Sequence, residues 1–147
     1  MEHMSNCFVS IIWPTNEQNI NSIYNIIKDN GYQILFFKRY EFFCSWEKMI
    51  RIIYQDDKVK ENSLYKKIDI MNKYSNFLYI IGIEVLCPKY RFKNNNRKLS
   101  VAMEGLKKTI RDKFGGKRTS KNPIHIVDEQ SHSINLYKSL IENGILK

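Results

Sequence analysis

The sequence has little of the residues that break regular structure. Six glycines and three prolines in 147 residues leave no linker-like or disordered stretch, and a 43% apolar share with 13% aromatics describes a chain that packs around a core. Cysteine is scarce too. Cys7, Cys44 and Cys87 are odd in number, widely spaced and set in apolar surroundings, which excludes a disulfide framework and suits a reducing compartment; the expected location is the cytoplasm. There is no long hydrophobic run. The longest, Phe77 to Cys87, contains Glu84 and is about half of what a membrane helix needs, and no basic, apolar and small-residue signal pattern opens the chain. The length suits one domain, expected over residues 5–147.

Acidic residues are missing from one particular place. Of 24 Lys and Arg, 12 fall between Lys89 and Lys121 against only two acidic residues, a local net charge of +10, while the rest of the chain has 12 basic and 13 acidic residues. A field of this sign gathers anions, phosphate-bearing ones above all.

Periodicity gives the element order. Cys7 to Ile12 is β-branched and apolar, with Pro14 ending it, and predicts a strand; Thr15 or Asn16 then caps a helix carrying Ile20, Ile23, Ile26 and Ile27 to an Asn30-Gly31 stop. Tyr32 to Tyr40 predicts a second strand. Trp46, Met49, Ile50 and Ile53 mark one short helix, and Leu64, Ile68 and Met71 another. Phe77 to Leu86 predicts a strand central in a sheet that is covered on both faces or nearly so. A polar, basic loop is expected over Lys89 to Lys98, then a helix from Val101 to Phe114 stopped by Gly115-Gly116. A short strand over Pro123 to Val127 follows, with Ser131 or Ser133 capping a last helix that carries Ile134, Tyr137, Leu140 and Ile141. This order predicts an α+β fold: a ferredoxin-like split β-α-β sandwich with an inserted helical pair and a C-terminal helix.

One segment carries recognisable chemistry, Asn122-Pro-Ile-His125-Ile-Val-Asp128. A histidine at a strand end, with a carboxylate three residues on to fix its tautomer, suits nucleophilic or acid-base work. The bland alternative is a hydrogen-bonded, partly buried histidine among Ile124, Ile126 and Val127. His125, Asp128 and His132 would align as metal ligands only on a helix, so no metal site is expected from them. Gly115 to Ser120 holds the residue types of a phosphate loop in the wrong order and context.

The segment resembles the histidine motif of the nucleoside diphosphate kinases, Asn-x-Ile/Val-His-Gly-Ser-Asp, through Asn122, Ile124, His125 and Asp128. The likeness extends to the element order with its helical insert, to Ile11 to Thr15 and the Asn30-Gly31 turn, to Gly82-Ile-Glu84 and to the helix ending in Arg111 to Gly115. It implies a nucleotide- or phosphate-ligand-binding domain with phosphoryl transfer through His125. Arg111, Lys117 and Arg118 would hold phosphates, Asn122 and Asp128 would shape the site, Mg2+ would accompany the ligand, and the chain would assemble as a homo-oligomer. Arg111 fits either of two phosphate-binding arginines of that family. Departures are specific: Trp13 stands at the phosphate-binding lysine, Thr15 at the aspartate, Ile126-Val127 at the Gly-Ser, and Leu136 at the supporting glutamate, while the loop before the histidine strand is short. The alternative is a non-catalytic module that binds single-stranded nucleic acid through the basic 89–121 stretch, with Tyr90 and Phe92 stacking on bases.

Overall fold

The computed structural model describes residues 6–93, 97–115 and 124–145. Its elements run β1 (Cys7–Ile12), a 3-10 turn (Pro14–Asn19), α1 (Ile20–Asp29), β2 (Gln33–Glu41), α2 (Trp46–Ile53), α3 (Glu61–Met71), β3 (Phe77–Glu84), β4 (Tyr90–Lys93), β5 (Arg97–Ser100), α4 (Val101–Phe114), β6 (Ile124–Ile126) and α5 (Gln130–Glu142). Four strands form an antiparallel sheet in the order β2-β3-β1-β6, the mixed helix-and-strand arrangement expected of a ferredoxin-like fold. None of the helices described is long and apolar enough to cross a membrane.

Strand alternation sorts the core onto two faces. Phe8, Ile12, Ile81, Ile83, Ile124 and Ile126 point to the side covered by α1 and α4, where they meet Ile23, Ile27, Met103, Leu106 and Ile110. Cys7, Val9, Ile11, Leu78 and Ile80 point the other way, against α2, α3 and α5. β3 is therefore central and covered on both sides, as its unbroken apolar run predicts. Gly82 leaves room for the Phe36 ring of β2, which occupies the space a Cβ would take.

The helix stops fall where glycine was expected: Gly31 and Gly115 adopt φ of +85° and +81°, a left-handed conformation that costs glycine little. The starts are less faithful to sequence. α1 begins at Ile20 after a 3-10 turn, with neither Thr15 nor Asn16 as its cap. Ser133 caps nothing either; buried inside α5, it accepts a hydrogen bond from the Val9 backbone N–H at 2.8 Å and ties α5 to β1.

The clearest difference from expectation is at Lys89 to Lys98, where a basic loop is replaced by the β4–β5 hairpin. Polar contacts hold it down: Ser100 donates its backbone N–H to Asp128 O at 2.7 Å, Leu99 bridges to Glu129, Arg91 grips Glu104 at 2.5 and 2.6 Å, and Arg97 pairs with Glu129. Only Leu99 and Ser100 of its strands are buried, so hydrophobic patterning had no signal to give.

Candidate functional site

β6 pairs with β1 in a register that sets His125 opposite Ile11. Its neighbours Ile124 and Ile126 face α1 and α4, and alternation turns the imidazole to the opposite side. There it rests on Tyr54, with ring centroids 4.4 Å apart; Tyr54 stacks on Trp13 at 6.2 Å and 7°. Trp13 is wholly buried and contributes apolar surface where the resemblance leads one to expect a lysine. The ammonium beside it comes from α3, since Lys67 Nζ lies 4.1 Å from the Trp13 ring centroid. Lys67 belongs to the buried stripe of Leu64, Ile68 and Met71 at helical spacing, which is the sequence signal that could have found it.

Above His125 lies an open cleft of about 1060 Å3, with Arg111 and Lys107 of α4, the β4–β5 hairpin, and the α2–α3 connection among its walls. Of the sequence-derived residues the cleft brings together His125, Arg111 and Asp128. Lys117, Arg118 and Asn122 lie outside the described residues. The carboxylate facing the imidazole is not the expected one. Asp128 accepts from Lys107 Nζ at 2.8 Å, whereas Asp57, from the α2–α3 connection, sets Oδ2 3.4 Å from His125 Nε2 and Oδ1 3.7 Å from His132 Nδ1. Sequence reasoning had no means of finding Asp57, an acidic residue in a polar connection far along the chain from His125.

The electrostatics of this floor follow from burial. His125 is only 6% exposed, and burial, aided by repulsion from Lys107, Lys67 and Arg111, pushes its pKa down to about 3. It is a neutral imidazole at physiological pH. Burial likewise brings the Lys67 ammonium down to about 7, with Arg111 repelling it further. Burial raises Asp57 above the usual carboxylate range, while His132 and Lys107 pull it back. Burial lowers Arg111 against the favourable influence of Tyr54 and Asp128, and its Nε is buried with no hydrogen-bond partner among the described residues. A guanidinium stays charged in such a place, so the cleft holds a fixed cationic fork and a neutral imidazole.

The two hairpin arginines are committed to carboxylates, and helices cover both faces of the inner strands β1 and β3, where a base-stacking platform would lie. Tyr90 carries Lys98 Nζ 4.3 Å from its ring centroid, and Phe92 lines the cleft. Among the described residues no group of three or more His, Cys, Asp or Glu side chains could hold a metal ion. Asp128 and Glu129 are taken by Lys107 and Arg97, and His125 sits on a strand, which separates it from the helical alignment that a His125, Asp128 and His132 ligand set requires.

No protein-family model matches the chain, and no curated protein sequence matches it. Solved structures do. The chain is similar to the nucleoside diphosphate kinase of Aquifex aeolicus, with a TM-score of 0.64 and 12% identity over 97% of this chain and 99% of that one. It is also similar to the nucleoside diphosphate kinase of Borrelia burgdorferi, solved as a transition-state mimic with bound vanadate and ADP, with a TM-score of 0.62 and 12% identity over 96% of this chain and 89% of that one. At this identity the likeness establishes the nucleoside-diphosphate-kinase-like fold.

Proposed function

We propose that the cleft above His125 binds a nucleotide or another phosphorylated small molecule, and that His125 accepts a phosphoryl group from it. The observation that carries this reading is Arg111: a half-buried guanidinium whose Nε has no hydrogen-bond partner among the described residues, in the same cleft as a neutral imidazole. Leaving a buried cationic donor unsatisfied is costly, and a phosphate oxygen is the acceptor that a planar guanidinium grips best. The fold shared with the Borrelia enzyme that binds ADP and vanadate supports the same reading.

The chemistry asks little of the protein beyond position and charge. The lone pair of one imidazole nitrogen forms the N–P bond while the P–O bond to the departing diphosphate breaks, its electron pair leaving on the diphosphate oxygen. Arg111 and Lys107 neutralise the charge spread over the transferring oxygens. Lys117, Arg118 and Asn122 belong to the proposal on their sequence positions alone. Among the described residues the carboxylates make no protein cage for Mg2+.

The test is a thermal-shift and calorimetric titration of the intact protein with pyrophosphate, ADP and ATP, each with and without Mg2+, because a ligand of the native state raises its apparent stability. Binding is expected, and Arg111→Lys, which keeps the charge and removes the fork, should weaken it about tenfold or more, the scale of charged hydrogen bonds. No binding of any of the three at millimolar concentration overturns the proposal. With γ-labelled ATP, wild type should retain acid-labile label and His125→Ala should retain none; label persisting in that variant rejects His125 as the nucleophile.

A further inference from the structure

We infer that Asp57 is the positioning residue of His125: its carboxylate holds the proton on Nε2 and leaves the imidazole lone pair on Nδ1. A neutral imidazole has one N–H and one lone pair, and the group opposite each nitrogen decides which is which. Lys67, Lys107, Arg111 and His132 all disfavour a second proton on the ring, so this choice is the only one open to it. Opposite Nε2 stands Asp57 Oδ2 at 3.4 Å; Nε2 is buried and has no hydrogen-bond partner among the described residues, so a lone pair there would be repelled by the carboxylate, whereas an N–H is attracted to it.

Asp57 is itself held in place. Its backbone N–H donates to Tyr54 O at 3.0 Å, and the same connection is tied to α5 by Gln55 to Ser139 at 3.0 Å and by Asn135 to Asp56 at 3.0 Å. Behind it, His132 Nδ1 lies 3.7 Å from Asp57 Oδ1 and His132 Nε2 lies 3.3 Å from Glu129 Oε2, while Glu129 accepts from Arg97 Nε at 2.7 Å. A continuous line of polar side chains thus runs from the hairpin to the imidazole. A carboxylate from the inserted helical pair takes up the orienting role that Leu136, buried in the core, cannot fill. The use of the freed Nδ1 in phosphoryl transfer rests on the function proposed above. The tautomer does not, and it is read without any ligand, so each can fail alone.

The experiment is a long-range proton-nitrogen correlation spectrum of the full-length, 15N-labelled protein at neutral pH, with the His125 resonances assigned by their loss in His125→Gln. Wild type should show one tautomer, Nε2–H. Asp57→Ala should show both tautomers, and Asp57→Glu, which restores a carboxylate, should return towards one. A wild-type ring protonated on Nδ1, or a mixture of the two forms, overturns the inference without recourse to any variant. An unchanged single tautomer in a folded Asp57→Ala protein overturns it as well, because some other group would then be fixing the ring.

Discussion

The two faces of the sheet are built from the same strands and bury different chemistry. Under α1 and α4 the cluster is aliphatic, Ile12, Ile81, Ile83, Ile124 and Ile126 meeting isoleucines and leucine from the helices, with no charged or histidine side chain among its buried members. Under α2, α3 and α5 the cluster is aromatic at one end, and Lys67 and His125 are buried against Trp13 and Tyr54. The first face is hydrocarbon but for Ser10, which alternation places between Phe8 and Ile12 and which carries no charge. The second buries a cation and an imidazole, groups whose solvation is lost on folding, and a chain retains such groups where they do chemistry more readily than where they only fill space. Strand alternation at β6 shows the division within three residues: Ile124 and Ile126 go to one side and His125 to the other.

The comparison breaks most visibly on the aliphatic face. Ile81→Ala removes buried methylenes from a fully enclosed position, and is expected to cost about 2 to 5 kcal/mol in chemical denaturation. That cost should be the same at pH 6 and pH 8, a window in which Tyr79 and Tyr90, partly buried against this cluster and raised above the ordinary phenol value by burial, stay neutral. A strongly pH-dependent penalty would mean that the two faces are coupled and the division drawn above is false.

Lys67 tests the other face. Its native pKa is about 7 against 10.5 for the unfolded chain, so between those values the unfolded state binds more protons than the native one and stability rises with pH. The gain is complete above pH 10.5 and absent below 7, on the order of a few kcal/mol across the window. Lys67→Met keeps the stem and drops the charge. It should flatten this rise and leave the protein at least as stable at pH 7, because an apolar replacement of a buried charge is often neutral or stabilising. A Met variant that loses stability at pH 7, or that keeps the rise, would overturn this account of the buried charge.

Much of this division was legible in sequence, and the failures have physical causes. The strands of β1, β3 and β6 and the stripes of α1, α2 and α4 follow from apolar periodicity, which is a direct record of burial. His125 was visible because a polar residue interrupts an isoleucine run. The hairpin was hidden, since its strands are held by Arg91 to Glu104 and Arg97 to Glu129, pairs that leave no periodic trace. Asp57 was hidden for a related reason: the α2–α3 connection and β6 meet only through the fold, and Asp128, adjacent in sequence, goes to Lys107 instead. Lys67 reads as one of many lysines until its place between Leu64 and Ile68 is noticed.

The smallest effect sharpens the comparison at its boundary. His125 titrates near 3 when folded and at 6.5 in its ordinary state, so on acidification the unfolded chain takes up a proton that the native imidazole refuses. The contribution of the neutral ring is complete above pH 6.5 and is lost as pH falls towards 3, by at most about 1.4 kcal/mol per pH unit. Carboxylates titrate over the lower part of the same range, so the informative quantity is the difference between wild type and His125→Gln measured from pH 7 down to pH 5. The Gln variant should lose less stability than wild type over that interval, by about 1 to 2 kcal/mol. Parallel curves would place the imidazole in contact with enough water or carboxylate to protonate freely, and the neutral ring on which both the proposed nucleophile and its inferred tautomer depend would be lost with them.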